Sequence, residues 1–589
     1  MCGIFSYLGN KNATKVVFDG LKRLDYRGYD SWGIGVKNGL FISCEKHTGK
    51  ISQAKVNLPK SQIAVGHTRW ATHGAVNDVN AHPHFSSDKS FVLAHNGIVE
   101  NYDDLKNKLE KKKHHFKTKT DTEVIVRLIE EEKKSTPNLL TAVPKAFKQL
   151  KGRNTVIILT KDGQVIAARN GSPLVIGTDQ QLKEIYLSSD TLSFAPFVEK
   201  LLVVNNGQMV ACKPGEVQLK KIISGKLLKP KWEKNSIKSI HVSKQDHQYY
   251  MIKEINEAPE VITQVTKQKK QEYSHLAKAI KKAKHVYIIG SGTAGAAAAQ
   301  IAYYLRNFSK ISAISLIGAE AREYYDLFQK GDLMIAVSQS GETADVLEVL
   351  EVAKAKGVKI ASYVNMLGSM MTRMSNYQFM AHAGPEICVM STKIFVSQIA
   401  WGYLVAKSVA DKFSQAVTNL NQLSMIVDKF LKDKKVTKQI QQLAKQLILK
   451  ESIYLLGRSQ NLQIIKEGMI KIIEGSYIHG HAIPAGDLKH YVITLMEKGV
   501  SVIAVISNDF VKDDCLNAVS EVKARGAQVI AVAPENHENF DYLIKTPDTK
   551  ETSAIMNIIP LQLLAYYMAV GLGNDVDKPR NIAKSVTVK

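Results

Sequence analysis

The sequence predicts an α/β protein with at least three compact regions, and three observations carry that prediction. Up to about residue 238 the chain reads as short strands and hairpins around two helices. From about Lys267 strands alternate with helices, the pattern of a parallel sheet. Within this second part the sequence repeats itself. Val286-Tyr-Ile-Ile-Gly290 matches Ile453-Tyr-Leu-Leu-Gly457, Met334-Ile-Ala-Val-Ser338 matches Ile503-Ala-Val-Ile-Ser507, and Lys354-Ala-Lys-Gly357 matches Lys523-Ala-Arg-Gly526, at offsets of 167–169 residues. Three matches in one order at nearly one offset predict two copies of one α/β domain.

Taken in order, strands are expected at 33–36, 62–67, 91–94, 155–160 and 164–170. Helices are expected at 99–109 and 122–132, the second opened by Asp121-Thr122-Glu123. Residues 239–258 are polar, precede Pro259, and read as a connector. Helices between 392 and 446 join the two repeats. Residues 555–572 are apolar but interrupted by Asn557, Pro560 and Gln562, which predicts a buried core helix rather than a membrane span.

Composition narrows the class. The 589 residues are 45% hydrophobic and 23% charged, ordinary globular usage that excludes a disordered or collagenous chain. The five cysteines are scattered, with no CxxC pair, so neither a disulfide framework nor a cysteine-rich zinc site is expected. The net charge is +24, from 67 lysines and 12 arginines against 55 acidic residues. The lysines are dispersed and not interleaved with aromatics, unlike a nucleic-acid groove. They fit a solvated surface and attraction of acidic or phosphorylated small molecules. The start has no basic and apolar leader, so a cytoplasmic protein is expected, with no nucleic-acid or membrane partner.

Cys2 follows the initiator Met1. Removal of Met1 would leave an N-terminal thiol beside an α-amine that titrates near pH ~8. That amine can take the thiol's proton and create the nucleophilic thiolate. Five histidines, His67, His73, His82, His84 and His95, fall within 29 residues. His82-x-His84 could chelate a metal on a strand, but no nearby cysteine completes a set, and no metal is expected.

Cys2-Gly-Ile, Tyr26-Arg27-Gly28-Tyr29-Asp30-Ser31, His67-Thr68-Arg69-Trp70-Ala71-Thr72-His73-Gly74, Asn80-Ala81-His82-Pro83-His84, His95-Asn96-Gly97-Ile98-Val99-Glu100-Asn101 and Asp121-Thr122-Glu123 follow one another over some 120 residues. Jointly they resemble a class II glutamine amidotransferase domain. The resemblance implies the N-terminal-nucleophile hydrolase fold, an αββα sandwich, over residues 1–238. It implies that Cys2 is the nucleophile, that Arg69 holds the glutamine α-carboxylate and that Asp121 holds the α-ammonium. Asn96 and the Gly97 N–H would form the oxyanion hole. Thr72 and His73 would line the glutamine pocket, Arg27 and Gly28 would flank the nucleophile, and Trp70 would gate the ammonia exit.

In the second part, Gly290-Ser-Gly292-Thr-Ala-Gly295 has the GxGxxG spacing, with Glu320 as a candidate ribose ligand, so a nicotinamide enzyme is the alternative of another class. Against it, the duplication does not duplicate the fingerprint. Moreover, the next strand ends in Ser338-Gln339-Ser340-Gly341-Glu342-Thr343 before a helix. Hydroxyls and N–H groups at a helix start form a phosphate seat; a merely well-capped helix needs fewer of them.

The duplicated domains with this segment resemble sugar isomerase (SIS) domains, expected at 267–430 and 431–575, with 239–266 as linker and 576–589 as tail. With the amidotransferase region and the ending Asp575-Val-Asp-Lys-Pro-Arg-Asn-Ile-Ala-Lys584-Ser-Val-Thr-Val, the chain resembles the glutamine–fructose-6-phosphate aminotransferase family. The resemblance implies glutamine and fructose 6-phosphate as substrates, no cofactor, and a homodimer. Thr293, Ser338, Gln339, Ser340, Thr343, Ser391 and Ala583 would hold the sugar phosphate. Lys584 would form a Schiff base with the ketose carbonyl, Glu474 would move the proton between the first two sugar carbons, and Lys471 would sit close by. His490 would assist ring opening from the neighbouring subunit. Ammonia would pass between the halves in a dry passage near Trp70 and the tail, since in water it would be protonated. The chain departs from the family pattern at Ala294, Ile473, His481 and Tyr491-Val492. A different ketose phosphate, or a glutaminase joined to a sugar-phosphate sensor, therefore stands as an alternative.

Overall fold

The computed structural model describes residues 2–235, 243–366 and 368–586. Met1, with its expected removal, and the expected boundary at 238–239 lie outside them. The chain divides into two compact units, one holding the described residues up to 235 together with 585–586, the other the described residues from 243 to 584.

The first unit is two antiparallel sheets face to face. One runs 233–234, 200–203, 175–178, 185–188, β1 (Gly3–Leu8), β2 (Ile63–Arg69), 31–38 and 41–48; the other runs 227–228, 216–221, 208–213, 165–170, 154–160, β3 (Phe91–Gly97) and 84–85. Period-2 alternation explains why these strands are buried on both sides. Ile4 and Leu8 of β1, Val65 of β2, and Val92 and Ala94 of β3 meet in the core between the sheets. Phe5 and Tyr7 point the other way, onto the helix Ala13–Arg23. Phe91 and Leu93 point out onto α1 (Thr122–Ser135) and its neighbours. The layers are therefore αββα, as the amidotransferase resemblance implies.

The second unit contains two five-stranded parallel sheets. Before them come α2 (Tyr250–Asn256) and α3 (Ala258–Thr266). The first sheet is built from β4 (Val286–Gly290), α4 (Thr293–Ser309), strand 313–317, β5 (Leu333–Ser338), α5 (Ala344–Ala355) and strands 359–364 and 377–380. The long α6 (Lys393–Val409) follows, and all 17 of its residues are buried. The second sheet is built from β6 (Ser452–Gly457), α7 (Leu462–Ser476), strand 479–484, β7 (Ser501–Val505) and strands 528–533 and 542–545; α8 (Ser553–Gly571) closes the unit. Numbered along the chain within each sheet, both have the order 2-1-3-4-5 with parallel pairing throughout. Two of the repeated segments thus fall on equivalent strands, and the third at the ends of the equivalent helices 344–355 and 512–523. The order reverses beside β4 and β5, and ligands of such sheets bind at that switch, outside the strands' C-terminal ends.

One reading is corrected. Residues 250–266, expected within a linker, are the helices α2 and α3, whose Met251, Ile255, Ala258, Val261, Ile262 and Val265 are buried in the main core. Pro259 sits in the first turn of α3, where its missing N–H costs nothing, so it marks a helix start rather than a break. In α8, 16 of 19 residues are buried. The helix is long and apolar enough to cross a membrane by composition, but here it packs inside the protein.

Candidate active sites

In the first unit, strand register delivers the thiol. Antiparallel pairing sets Gly3 of β1 opposite Thr68 of β2, and the Gly3 N–H donates to Thr68 Oγ1 at 3.2 Å. Cys2 therefore arrives beside Arg69 and Trp70. The Trp70 N–H donates to Cys2 Sγ at 3.3 Å, and Sγ lies 3.6 Å from Trp70 O. Burial pushes the thiol's pKa up, while the Trp70 N–H and the Arg69 guanidinium pull against it. Arg69 itself is tied to the 73–75 loop, donating to the carbonyls of His73, Gly74 (3.1 Å) and Ala75 (3.3 Å).

Asn96 comes from β3, in the other sheet, and its Nδ2 donates to Cys2 O at 3.2 Å. His67 sets that orientation. Its Nε2 lies 2.9 Å from His95 O and 3.1 Å from Asn96 Oδ1. Burial holds His67 down to about 3, so the ring is neutral. Facing two acceptors, Nε2 carries the hydrogen, turning the Asn96 oxygen away from Cys2 and the NH2 toward it. Gly97 has φ 142°, and a Cβ there would meet Arg153 O at 2.1 Å, so glycine alone fits beside the site. Asp121 accepts the Val99 N–H at 2.8 Å. Arg27 pairs with the buried Asp190 at 3.2 Å, beside Gly28. Thr72 and His73 sit in the 72–75 loop, with 3.5 Å between Thr72 Oγ1 and His73 Nδ1.

The other histidines make hydrogen bonds. His95 reaches Thr122 Oγ1 (2.9 Å) and Asn154 Oδ1 (3.0 Å), His84 reaches Thr120 (3.1 Å), and His82 reaches Thr122 (3.3 Å) while stacking on His67. Among the described residues no group of His, Cys, Asp and Glu is arranged to hold a metal.

In the second unit, Lys584 is the centre. Its side chain is 3% exposed, and its Nζ donates to the Glu386 carboxylate and to Cys388 O (2.6 Å). Ser391 Oγ donates to the same Glu386 oxygen at 2.9 Å, and the N–H groups of Thr392 and Ile394 bond the other oxygen at 2.9 and 3.1 Å. Burial would push Glu386 up, but Lys584 and these N–H groups hold it below the usual carboxylate range.

The tail that carries Lys584 is pinned along its length. Asp577 caps the first N–H groups of α2, those of Tyr250 and Met251, at 2.9 Å each. The Val389 N–H donates to Asp577 O at 2.9 Å, and Asn574 Nδ2 to Gly475 O at 2.9 Å. The Cys388 thiol donates to Val576 O at 3.2 Å.

Lys471 forms a second buried cluster on α7, 2.5 Å from Glu474 and 3.5 Å from Glu467. Burial would lower Lys471, but the two carboxyls lift it well above the ordinary ammonium value. Burial pushes Glu467 to about 8, against the pull of Lys471. Thr293 Oγ1, at the start of α4, donates to Glu467 at 3.2 Å. In the Ser338–Thr343 loop, the Gly341 N–H donates to Ser338 Oγ (2.9 Å) and the Glu342 N–H to Ser340 Oγ (3.2 Å). Thr343, the N-cap of α5, makes no capping side-chain bond, which a merely well-capped helix would have used. Gln339 O receives the Asn365 N–H at 3.2 Å.

The structure therefore joins Lys584 to Ser391 through Glu386, and Thr293 to Lys471 and Glu474 through Glu467. It does not bring His490 to either cluster: His490 is exposed in the turn after strand 479–484. Tyr491 follows it, 50% exposed, with its ring 6.5 Å from that of His481; Ile473, on α7, is 39% exposed. Ala583 precedes Lys584, half-buried. Glu386, Glu467 and the role of His67 were missed in the sequence. Both carboxyls lack a local motif, and only a buried lysine's need for a counter-charge points to them.

Comparison with known proteins decides the family. A SIS domain model matches residues 279–408 and 446–572, and a glutamine amidotransferase domain model matches residues 67–195. The chain is 36% identical to the glutamine–fructose-6-phosphate aminotransferase (isomerizing) of Pyrococcus horikoshii and 35% identical to that of Thermococcus kodakarensis, over the whole of each chain. It belongs to the glutamine–fructose-6-phosphate aminotransferase family. In this family's terms the first unit is the amidotransferase half and the second holds both SIS domains. The second half is also similar to the C-terminal domain of the glucosamine–fructose-6-phosphate aminotransferase of Francisella tularensis, at 31% identity and TM-score 0.53, over 57% of this chain and all of that one.

Proposed function

We propose that this chain makes glucosamine 6-phosphate from fructose 6-phosphate, with the amide nitrogen of glutamine. The observation that carries the reading is Lys584, a buried amine held between Glu386 and Cys388 O, on the same chain as a thiol addressed by the Trp70 N–H. A buried lysine is the group that condenses with a ketose carbonyl, and a positioned thiol is the group that attacks an amide.

Once Met1 is removed, the α-amine of Cys2 takes the thiol's proton and the thiolate attacks the glutamine amide carbon. Asn96 Nδ2 and the Gly97 N–H receive the oxyanion. Arg69 and Asp121 hold the amino-acid end of glutamine, within the pocket of Arg27, Gly28, Trp70, Thr72 and His73. Ammonia leaves, and water releases glutamate. At the other site, Ser338, Gln339, Ser340, Thr343, Thr293, Ser391 and Ala583 seat the phosphosugar. Lys584 forms the Schiff base at C2, ammonia replaces it, and Glu474 moves a proton from C1 to C2 to give the aldose. Lys471 holds Glu474 in place, and His490 opens the sugar ring from a partner subunit in a homodimer. Glutamine and fructose 6-phosphate thus give glutamate and glucosamine 6-phosphate, with no cofactor consumed, in the cytoplasm.

The test is a paired assay: both products are quantified from glutamine and fructose 6-phosphate for wild type and Cys2→Ala. Equal glutamate and amino sugar, both lost in the variant, support the synthase. Glutamate without amino sugar overturns fructose 6-phosphate as acceptor.

A further inference from the structure

The turn that receives Lys584 is held from behind. Glu254, on α2, is 1% exposed. Its Oε1 accepts the N–H groups of Ile387 at 2.5 Å and Cys388 at 3.2 Å. Ile387 separates the two acceptors of Lys584, the Glu386 carboxylate and Cys388 O, and Cys388 itself carries the second. The other oxygen of Glu254, Oε2, is buried and finds no hydrogen-bond partner among the described residues.

We propose that Glu254 is a positioning residue for the Schiff-base step: it fixes the 386–388 turn so that Glu386 and Cys388 O both face Lys584, and it leaves Glu386 as the one anion against that amine. The proposal rests on the reading of Lys584 as the amine that attacks the ketose.

The second half of the proposal follows from where Glu254 sits. As an anion it would bury an oxygen without a donor next to another carboxylate, which a low-dielectric interior penalises. The charged and titratable groups that face it are Glu386, Lys584, Lys393, the Cys388 thiol and the Tyr250 phenol. Burial first and Glu386 second push its pKa well up, against Lys584, the Ile387 N–H and Lys393, which favours the protonated acid.

The step it serves balances. The Lys584 ammonium passes a proton to Glu386, and the free amine adds to the ketose carbonyl carbon, forming the C–N bond as the C=O π bond opens onto oxygen. The new nitrogen's proton moves to that oxygen, Glu386 returns its own, and water leaves. An iminium and the Glu386 carboxylate remain. A second anion at Glu254 would hold the ammonium and oppose the first transfer. At alkaline pH, once Glu254 ionises, this second anion should slow formation of the adduct.

The test uses the full chain with fructose 6-phosphate and no glutamine. Borohydride adds hydride to the iminium carbon and fixes the sugar to the lysine, and mass spectrometry measures the adduct at Lys584 from pH 6.5 to 9.5 (the urea denaturation midpoint, read separately, reports on folding). Glu254→Ala is expected to lose adduct by roughly tenfold at every pH, the cost of about one well-made hydrogen bond to a buried group. Glu254→Gln supplies the same acceptor oxygen without the charge. It should rescue trapping at pH 7 and exceed wild type several-fold at pH 9. If Ala does not fold, Gln carries the test through its pH profile. Superposed profiles of wild type and Gln overturn the proposal, as does a Gln variant as damaged as Ala at pH 7. A wild type that traps no sugar at any pH overturns the Lys584 reading itself, and the proposal with it.

Discussion

Cys2 meets its partners on strands of two packed sheets, within the first hundred residues, whereas Lys584 is met by stretches of chain hundreds of residues apart. In the first site, the Gly3–Thr68 register sets the thiol beside Trp70, and the β3 strand brings Asn96. In the second, the 386–391 turn, the 574–577 tail and α2 converge on one amine. The first site is a property of two packed sheets, so it holds together as they do. The second is a property of packing, so each contributor can be loosened separately. The two should fail differently when broken.

The largest expected effects separate the halves. Cys2→Ala should abolish both glutamate and glutamine-derived amino sugar, by on the order of 10³-fold or more. Lys584→Arg should abolish only the amino sugar while glutamate release persists. Product quantification in the same tube checks both, and loss of glutamate release in Lys584→Arg would end the idea of separable sites.

Next in size is Asn96→Ala, expected to slow glutamate release about 10²–10³-fold, the usual cost of one oxyanion donor. His67→Phe should act through Asn96 and lose less, about 1 kcal/mol or roughly fivefold in kcat. A His67→Phe variant at wild-type kcat would show that the ring does not orient the amide.

Smaller again, Asp577→Ala removes the cap of α2 and should cost about 0.5–2 kcal/mol of stability, read as a lower denaturation midpoint, with glutamate release untouched. Equal losses in both activities would contradict a tail-specific role.

A last expectation concerns Glu467. Its folded pKa of about 8 lies above the ordinary carboxyl value, so the folded state keeps a proton that the unfolded chain has already released. That makes folding less favourable as pH rises from about 4.5 toward 8. Glu467→Gln should flatten this slope; urea midpoints at pH 5.5 and 8 that fall as steeply as in wild type would reject it.

The difference between the sites also explains what could be read in the sequence. The parallel repeat was legible because its signal is local: a β-strand, a glycine and a helix, twice at nearly one spacing. Arg69, Asn96 and Asp121 were legible as motif residues, since strand neighbours keep their chemistry in short runs. Glu386 and Glu254 were not. Each is one carboxylate among 55 acidic residues, and nothing local marks the one that ends beside a lysine about 200 or 330 positions away. The helices at 250–266 were misread for a related reason. Tyr249, Tyr250 and Met251 look like a polar connector's end until Asp577, far along the chain, supplies the missing cap.

That cap has a consequence in time. Asp577 lies 327 residues after Tyr250, and at the ~5–20 residues per second of synthesis those two are separated by roughly half a minute. Throughout that interval the nascent chain can already hold every strand of the glutamine-cleaving sandwich, while the amine that would receive a sugar has not been made. Nitrogen release is thus built first and nitrogen use last, and α2 stays uncapped until the second arrives.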